Sequence, residues 1–286
     1  HSIRRRQRQM CIRDRLGTGS NTAIKGEYFF GTNQFEENVS KNDIIHQDII
    51  IDQQAFSARD DQGNILNHKS DILQIIDEKS STNQVIANLV IGSKSGIADN
   101  ISMIPRANEN CFWVIDVCQM RTTQKLINNL LRLNCMVMLT GSKFYQSPPF
   151  CGALLVPKSI SSKLVNIQDS AIEPFLKIFS TSDIPLNHPK LRNKFRHNEN
   201  YGTLLRWEAA ISEMKLLSFF GEDMVTMAVD RWNAFIISQL QIKSSYFELM
   251  PDQQFTNRSI VSFNVKHPDG SLLSDEELRV LSLIHI

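Results

Sequence analysis

An alternation of short apolar runs with segments of helical periodicity constrains the fold of this chain more than any other feature. The runs Cys111–Val117 and Cys135–Leu139 have the length and composition of buried strands. Between them, Thr122–Leu133 has helical periodicity and one apolar face, made of Leu126, Ile127, Leu130 and Leu131. This order predicts a βαβ unit with parallel strands and a right-handed crossover. We therefore predict an α/β fold, a three-layer sandwich with a largely parallel central sheet.

Further elements are expected on both sides of this unit. A helix capped by Ser70 or Asp71 should run to about Lys79 and precede a buried strand at Gln84–Ile91. Prolines in 147–150 cannot continue a central strand, so a new strand should start at Gly152 and run to Val156. The polar segment Pro185–Asn200 is expected to be a solvated loop. The later expected elements are helices Leu204–Phe220 and Glu222–Gln241 around Gly221, strands Tyr246–Met250 and Ser259–Lys266, and a helix start at Ser274.

Both ends of the chain translate the DNA of a sequencing-library adaptor, and we interpret residues 1–15 and 281–286 as such scars. Removing their six arginines and one aspartate from the 31 basic and 30 acidic residues leaves 25 and 29, a net charge of −4. Nucleic acid is therefore not an expected partner. No apolar stretch approaches the about 20 residues of a membrane span, so a membrane is not expected either.

The remaining chain divides into three expected parts. Residues 16–200 should form a large α/β domain, 201–243 long linking helices, and 244–280 part of a smaller α+β domain. Outside the scars the cysteines lack CxxC pairing, which fits a reducing cytoplasm. The histidines outside the scars show no metal-ligand spacing, so no metal site is expected.

Polar side chains follow two of the predicted strands at the points where these strands end. Asp116 and Gln119 follow the first strand, and Thr140, Ser142 and Lys143 follow the next one. The carboxyl ends of strands form the rim where open α/β sheets bind ligands. Neighbouring strands lie about 4.8 Å apart, so these side chains would converge on one small site if the two strands are neighbours.

This set of side chains contains the groups that pyridoxal 5'-phosphate (PLP) requires. The cofactor needs a lysine amine for its aldimine, a carboxylate that keeps the pyridine nitrogen protonated, and hydrogen-bond donors for its phosphate. Lys143 would form the aldimine, and Asp116 would lie at the ring nitrogen. Thr140 and Ser142 would bind the phosphate, and Gln119 would hydrogen-bond the ring hydroxyl.

The same residues resemble a known family. Val114–Gln119 resembles the Asp-x-x-Gln strand motif of class V aminotransferases and cysteine desulfurases, and Thr140–Lys143 is similar to their Ser-x-His-Lys Schiff-base motif. Gly152–Val156 is similar to the small-residue strand that follows the lysine in that family. The resemblance implies a fold-type I PLP enzyme that acts on an amino acid or a related amine through a Lys143 aldimine.

Asn200–Thr203 resembles the Gly-Thr element of the family, in which the threonine contacts the cofactor phosphate of the neighbouring subunit. Gly202 and Thr203 are therefore implied cofactor-binding residues of a homodimer with shared sites. Ser142 stands where the family has histidine. The mobile cysteine of the desulfurases has no evident counterpart, although Cys118 and Cys151 are near the motifs, so desulfuration is not expected.

Two alternatives stay open. Lys94, in the segment Gly92–Gly96, also follows a strand and is the rival aldimine lysine, although no aspartate-bearing strand precedes it in the right relation. The chain could also be a non-catalytic relative that keeps the fold for binding or assembly, against which the joint retention of Asp116 and Lys143 argues. These residues do not distinguish transamination, elimination, decarboxylation and racemisation.

Overall fold

The expected order of strands and helices is present in a computed structural model of the chain. It describes residues 54, 56, 64–92, 99–106, 110–117, 120–149, 151–162, 169–177, 179–250 and 260–284. The strands are β1 (Val85–Val90), β2 (Cys111–Asp116), β3 (Met136–Thr140), β4 (Gly152–Leu155), β5 (Phe247–Leu249) and β6 (Phe263–Val265). The helices are α1 (Lys69–Ser80), α2 (Gln124–Arg132), α3 (Lys158–Ser161), α4 (Asp169–Ile172), α5 (Pro189–Arg192), α6 (Tyr201–Ser218), α7 (Glu222–Ile242) and α8 (Asp275–Ile284), with 3-10 turns at Ile101–Arg106, Glu173–Lys177 and Thr181–Asp183.

A four-stranded sheet in the order β1-β2-β3-β4 forms the framework of the candidate site. The first three strands are parallel neighbours, whereas β4 returns antiparallel to β3. A parallel crossover needs about a dozen or more residues, usually with a helix, and the short connection through 141–151 reverses the chain instead. The prediction of a mixed α/β fold with a mostly parallel sheet is confirmed for the described residues. The three-layer arrangement stays a prediction.

The apolar core lies where α2 packs on the sheet. The helix begins after Thr123, whose Oγ1 accepts a hydrogen bond from Leu126 N at 3.1 Å and so satisfies an amide of the first turn. Leu130 belongs to the same fully buried cluster as Ile115 of β2 and Val137 of β3. Burying an apolar side chain of this size contributes about 1.5–3 kcal/mol. Packing across the βαβ unit therefore holds β2 and β3 side by side.

Two local predictions are corrected. Neither Ser70 nor Asp71 caps α1, because the helix already starts at Lys69, whose N donates to Asn67 Oδ1 at 3.2 Å. The segment predicted as a loop at Pro185–Asn200 contains the short helix α5. Its first residue is Pro189. Proline has no amide hydrogen, and the first residue of a helix has no hydrogen-bond partner for one within the helix.

Two long helices and two strands follow, as the sequence pattern predicted. Gly221 separates α6 from α7 with φ 74°, a left-handed conformation that favours glycine. The strands β5 and β6 pair in antiparallel orientation, and both are shorter than expected. A capping box starts α8, because Ser274 N donates to Glu277 Oε2 at 2.8 Å and Glu277 N donates to Ser274 Oγ at 3.3 Å. The division into a large and a small domain stays a prediction.

Candidate active site

Asp116 and the Lys143 segment follow neighbouring parallel strands. Asp116 is the last residue of β2 and pairs with Met138, while β3 continues for two more residues to Thr140. With neighbouring strands about 4.8 Å apart and a rise of about 3.3 Å per residue, the two chain segments leave the sheet at the same rim. The adjacency that the proposed site requires is therefore present.

Backbone hydrogen bonds fix the position of Asp116 from both sides. Its carbonyl accepts from Ile91 N at 2.8 Å, and Val117 N donates to Met138 O at 2.9 Å. The residue is half-buried at the rim. The Asp116 side chain thus extends from a rigid point of the sheet. A functional group that must meet one atom, here the predicted ring nitrogen of PLP, requires such a fixed support.

The loop that carries Lys143 is organised by the Thr140 hydroxyl. Thr140 Oγ1 donates to Cys151 O and accepts from Ser142 N at 3.3 Å. The Ser142 hydroxyl lies 3.0 Å from Thr140 Oγ1. A hydroxyl has one proton, and that of Thr140 is already directed at a carbonyl. Thr140 therefore shapes the loop in this arrangement, whereas Ser142 can turn its proton towards a ligand by rotation about one bond.

The Lys143 amine has no bonding partner among the residues that the structure describes. Its side chain is half-buried, and its Nζ forms no hydrogen bond or ion pair with another described residue. The turn behind it is closed by Gln146 N, which donates to Lys143 O at 3.2 Å. An amine that is partly shielded from water and not engaged in an ion pair suits a covalent role.

Gly141 is required by the close approach of α6 to this loop. A Cβ at this position would lie 2.4 Å from Ala210 Cβ and 3.0 Å from Cys151 Sγ. Ala210 and Cys151 are both completely buried, so neither can easily move away. Trp207 of the same helix donates from Nε1 to Gly152 O at 3.4 Å. The helix therefore packs directly behind the start of the Lys143 loop.

Replacing Gly141 with alanine is expected to destabilise the protein. Overpacking of this kind lowers the free energy of unfolding by about 1–3 kcal/mol. In a Gly141→Ala/Ala210→Gly protein the loss should be smaller than the sum of the two single effects, since the second change removes the clashing methyl group. Urea unfolding measures these differences. Gly152→Ala is the control, because its Cβ would meet no atom closer than Leu139 O at 3.9 Å; additive losses in the double variant would contradict the packing argument.

Gly202 and Thr203 lie inside the first turn of α6, which corrects the expectation that they precede the helix. Asn200 is the cap residue, and its Oδ1 accepts from Thr203 N at 3.0 Å. Gly202 is exposed, with Arg206 Nη1 2.9 Å from the place of a Cβ. A cavity of about 370 Å³ opens here and includes Gly202 and Arg196 in its lining, but neither Asp116 nor Lys143. The implied role of Gly202 and Thr203 towards a second subunit stays a prediction.

Gln119, Lys94 and Cys118 lie outside the described residues. The cofactor role assigned to Gln119 and the rival role of Lys94 therefore stay predictions. No group of three or more metal-ligating side chains occurs among the residues that the structure describes. Within the same residues, no helix has the length and hydropathy needed to cross a bilayer.

Asp99 is a rim residue that the sequence analysis missed. Its Oδ2 accepts from Val90 N at 2.6 Å, and its own N donates to Val90 O at 2.9 Å. Burial raises the pKa of this carboxyl above its ordinary value, while the hydrogen bond from Val90 opposes that shift. Because Val90 pairs with Asp116, a second carboxyl group lies at the same rim. A single aspartate after a loop has no sequence signal that would reveal this contact.

No protein-family model matches the chain, and no curated protein matches it. Among solved structures, the apo structure of a cysteine desulfurase from Thermococcus onnurineus NA1 aligns with a TM-score of 0.48 at 16% sequence identity. The alignment covers 79% of this chain and 52% of that chain, so this chain spans about half of the desulfurase. A similarity of this size is too low to assign a family or an activity.

Proposed function

We propose that the protein is a PLP-dependent enzyme of the aminotransferase class V-like type that acts on an amino acid or a related primary amine. The observation that carries this proposal is the placement of Asp116 and Thr140–Lys143 after neighbouring parallel strands, at one rim of the sheet. The order and spacing of Asp116 and Lys143 support it independently, since these two residues stand where the resembled motifs have an aspartate and a lysine.

The chemistry of the donor set fits this cofactor. Lys143 offers a half-buried amine that no other described residue engages, and Asp116 offers a carboxylate on a fixed backbone. Ser142 is a hydroxyl that can turn towards a phosphate oxygen, and the amide and hydroxyl groups of the surrounding loop keep it in place. When bound, PLP supplies an electron sink for the substrate carbon next to the amine.

In the proposed mechanism, Asp116 holds a proton at the pyridine nitrogen. A negative charge beside that nitrogen favours its protonated form, and backbone hydrogen bonds fix the point of the sheet from which the Asp116 side chain extends. Lys143 would hold the cofactor covalently, and once the amine of a substrate has replaced it there, the released Lys143 amine would be the base that takes and returns a proton at the substrate carbon. Half-burial of both residues limits competition by water.

We also propose that the partner of this chain is a second copy of itself. A face of α6 exposes large apolar side chains, including Leu205 at 68% and Leu216 at 58% exposure, and an exposed apolar patch often marks a surface that a partner covers. Gly202 and Thr203 lie at the N-terminal end of the same helix. Sedimentation velocity over a range of concentrations should show a dimer that Leu205→Asp weakens. A monomer at every concentration would contradict this proposal.

The function is tested by reduction with borohydride in the presence of PLP, followed by peptide mass analysis. We expect a visible absorbance band that reduction removes, and a mass addition at Lys143 alone. Labelling at Lys94 would show that the site assignment is wrong. Absence of any specific label would favour a non-catalytic protein that keeps the fold for binding or assembly.

A further inference from the structure

The loops that follow β2 and β3 are joined by a contact between Arg121 and Phe144. Arg121 lies in the loop after β2, downstream of Asp116, and Phe144 directly follows Lys143 in the loop after β3. The guanidinium carbon of Arg121 lies over the Phe144 ring, 5.4 Å from its centroid. This is within the about 6 Å over which a cation and a ring attract each other.

Both loops also contain a residue other than glycine in the left-handed conformation. Met120 has φ 51°, and its N donates to Val117 O at 2.7 Å; Gln146 has φ 53° in the turn after Lys143. Such conformations persist only where the surrounding contacts hold them, and they cluster at functional sites. Each turn therefore depends on contacts made by the neighbouring residues, and the contact between Arg121 and Phe144 is one that spans both loops.

Phe144 is a stable platform for the guanidinium. Its ring is half-buried against the apolar core and meets the Tyr145 ring edge-on at a centroid distance of 5.2 Å. Arg121 is half-buried as well, and burial lowers the pKa of its guanidinium. A cation–π contact becomes stronger when it is partly removed from water.

We propose that Arg121 and Phe144 are positioning residues that hold the Lys143 loop in a fixed relation to Asp116. This inference rests on the proposed function, because the loop has a chemical task only if Lys143 carries the cofactor. The effect passes through the backbone from Phe144 to the adjacent Lys143. Neither residue needs to touch cofactor or substrate.

The test compares the reactivity of lysine amines in the full chain without cofactor. Trace acetic anhydride is applied, and acetylation of Lys143 is measured relative to the exposed Lys243 in the same digest. Arg121→Gln and Phe144→Leu should each raise this ratio about two- to tenfold, as expected for loss of one partly buried cation–π contact. The double variant should give no larger rise than either single variant. Phe144→Tyr keeps the ring and should match the unchanged protein.

Urea unfolding midpoints of the same variants show whether each variant keeps the fold. If Phe144→Leu does not fold, the result for Arg121→Gln alone decides the test. An unchanged ratio in a folded Arg121→Gln protein overturns the inference. An equal rise in Lys143 and Lys243 acetylation, which leaves the ratio unchanged, overturns it as well, since it reports general loosening. The borohydride experiment on the unchanged protein tests the proposed function, and the acetylation ratios test the positioning role. Because the two measurements are independent, failure of one proposal can be distinguished from failure of the other.

Discussion

Replacing Lys143 with alanine is expected to abolish the borohydride-reducible absorbance band completely. The reason is chemical, because only a primary amine forms the covalent link to the cofactor aldehyde, and alanine has none. The change should leave the fold intact, since Lys143 Nζ makes no hydrogen bond or ion pair with the described residues. Absorbance after dialysis against PLP, followed by peptide mass analysis, measures the loss.

Two matched variants control this result. Lys125→Ala removes an exposed lysine of α2 and should keep the full absorbance band. Lys94→Ala removes the rival lysine and should also keep it. A band that survives in Lys143→Ala but disappears in Lys94→Ala would transfer the role to Lys94.

Replacing Asp116 with asparagine should reduce turnover by about 10²–10³-fold, which is typical for removal of one preorganised charge at a reacting group. Asparagine keeps the shape and can still hydrogen-bond, but it lacks the negative charge that keeps the ring nitrogen protonated. Cofactor affinity should fall much less. In protein loaded with ¹⁵N-labelled PLP, the ring nitrogen should give the chemical shift of a protonated ring in the unchanged chain and of a neutral ring in Asp116→Asn.

Asp99→Asn is the control for this experiment, because it neutralises the other carboxyl group described at the rim. Its amide oxygen can still accept from Val90 N, so the local backbone contact is kept. We expect the nitrogen shift of the unchanged protein in this variant. An altered shift in Asp99→Asn together with an unaltered one in Asp116→Asn would show that the wrong carboxylate has been assigned.

The order of elements around β2, α2 and β3 could be predicted because it depends on local periodicity. Apolar runs of strand length and the apolar face of Thr122–Leu133 are properties of neighbouring residues, and the structure contains both. The same reasoning placed Asp116 and Lys143 after their strands, since a residue that follows a buried run stands at its end. Element ends were less predictable, as α1 shows: it starts at Lys69, before either of the predicted cap residues Ser70 and Asp71.

Contacts between distant residues could not be predicted in this way. The need for glycine at position 141 comes from Ala210, which lies in a helix far along the chain. The hydrogen bond from the Thr140 hydroxyl to Cys151 O is another such contact, because it joins residues of two different strand ends, while the predicted phosphate-binding role of Thr140 stays a prediction. No local pattern reports which partner a side chain meets when the chain returns to the same place.

The amino-acid sequence by itself determined the order and type of the elements around β2, α2 and β3 and which chemical groups stand at the ends of these strands. Both depend on the type and spacing of residues within a few turns of the chain. The tertiary structure alone decided that β2 and β3 are neighbours, that α6 packs behind the Lys143 loop, and that Arg121 meets Phe144. These are packing relations between segments, and they follow from the burial of apolar surface throughout the core rather than from any single segment.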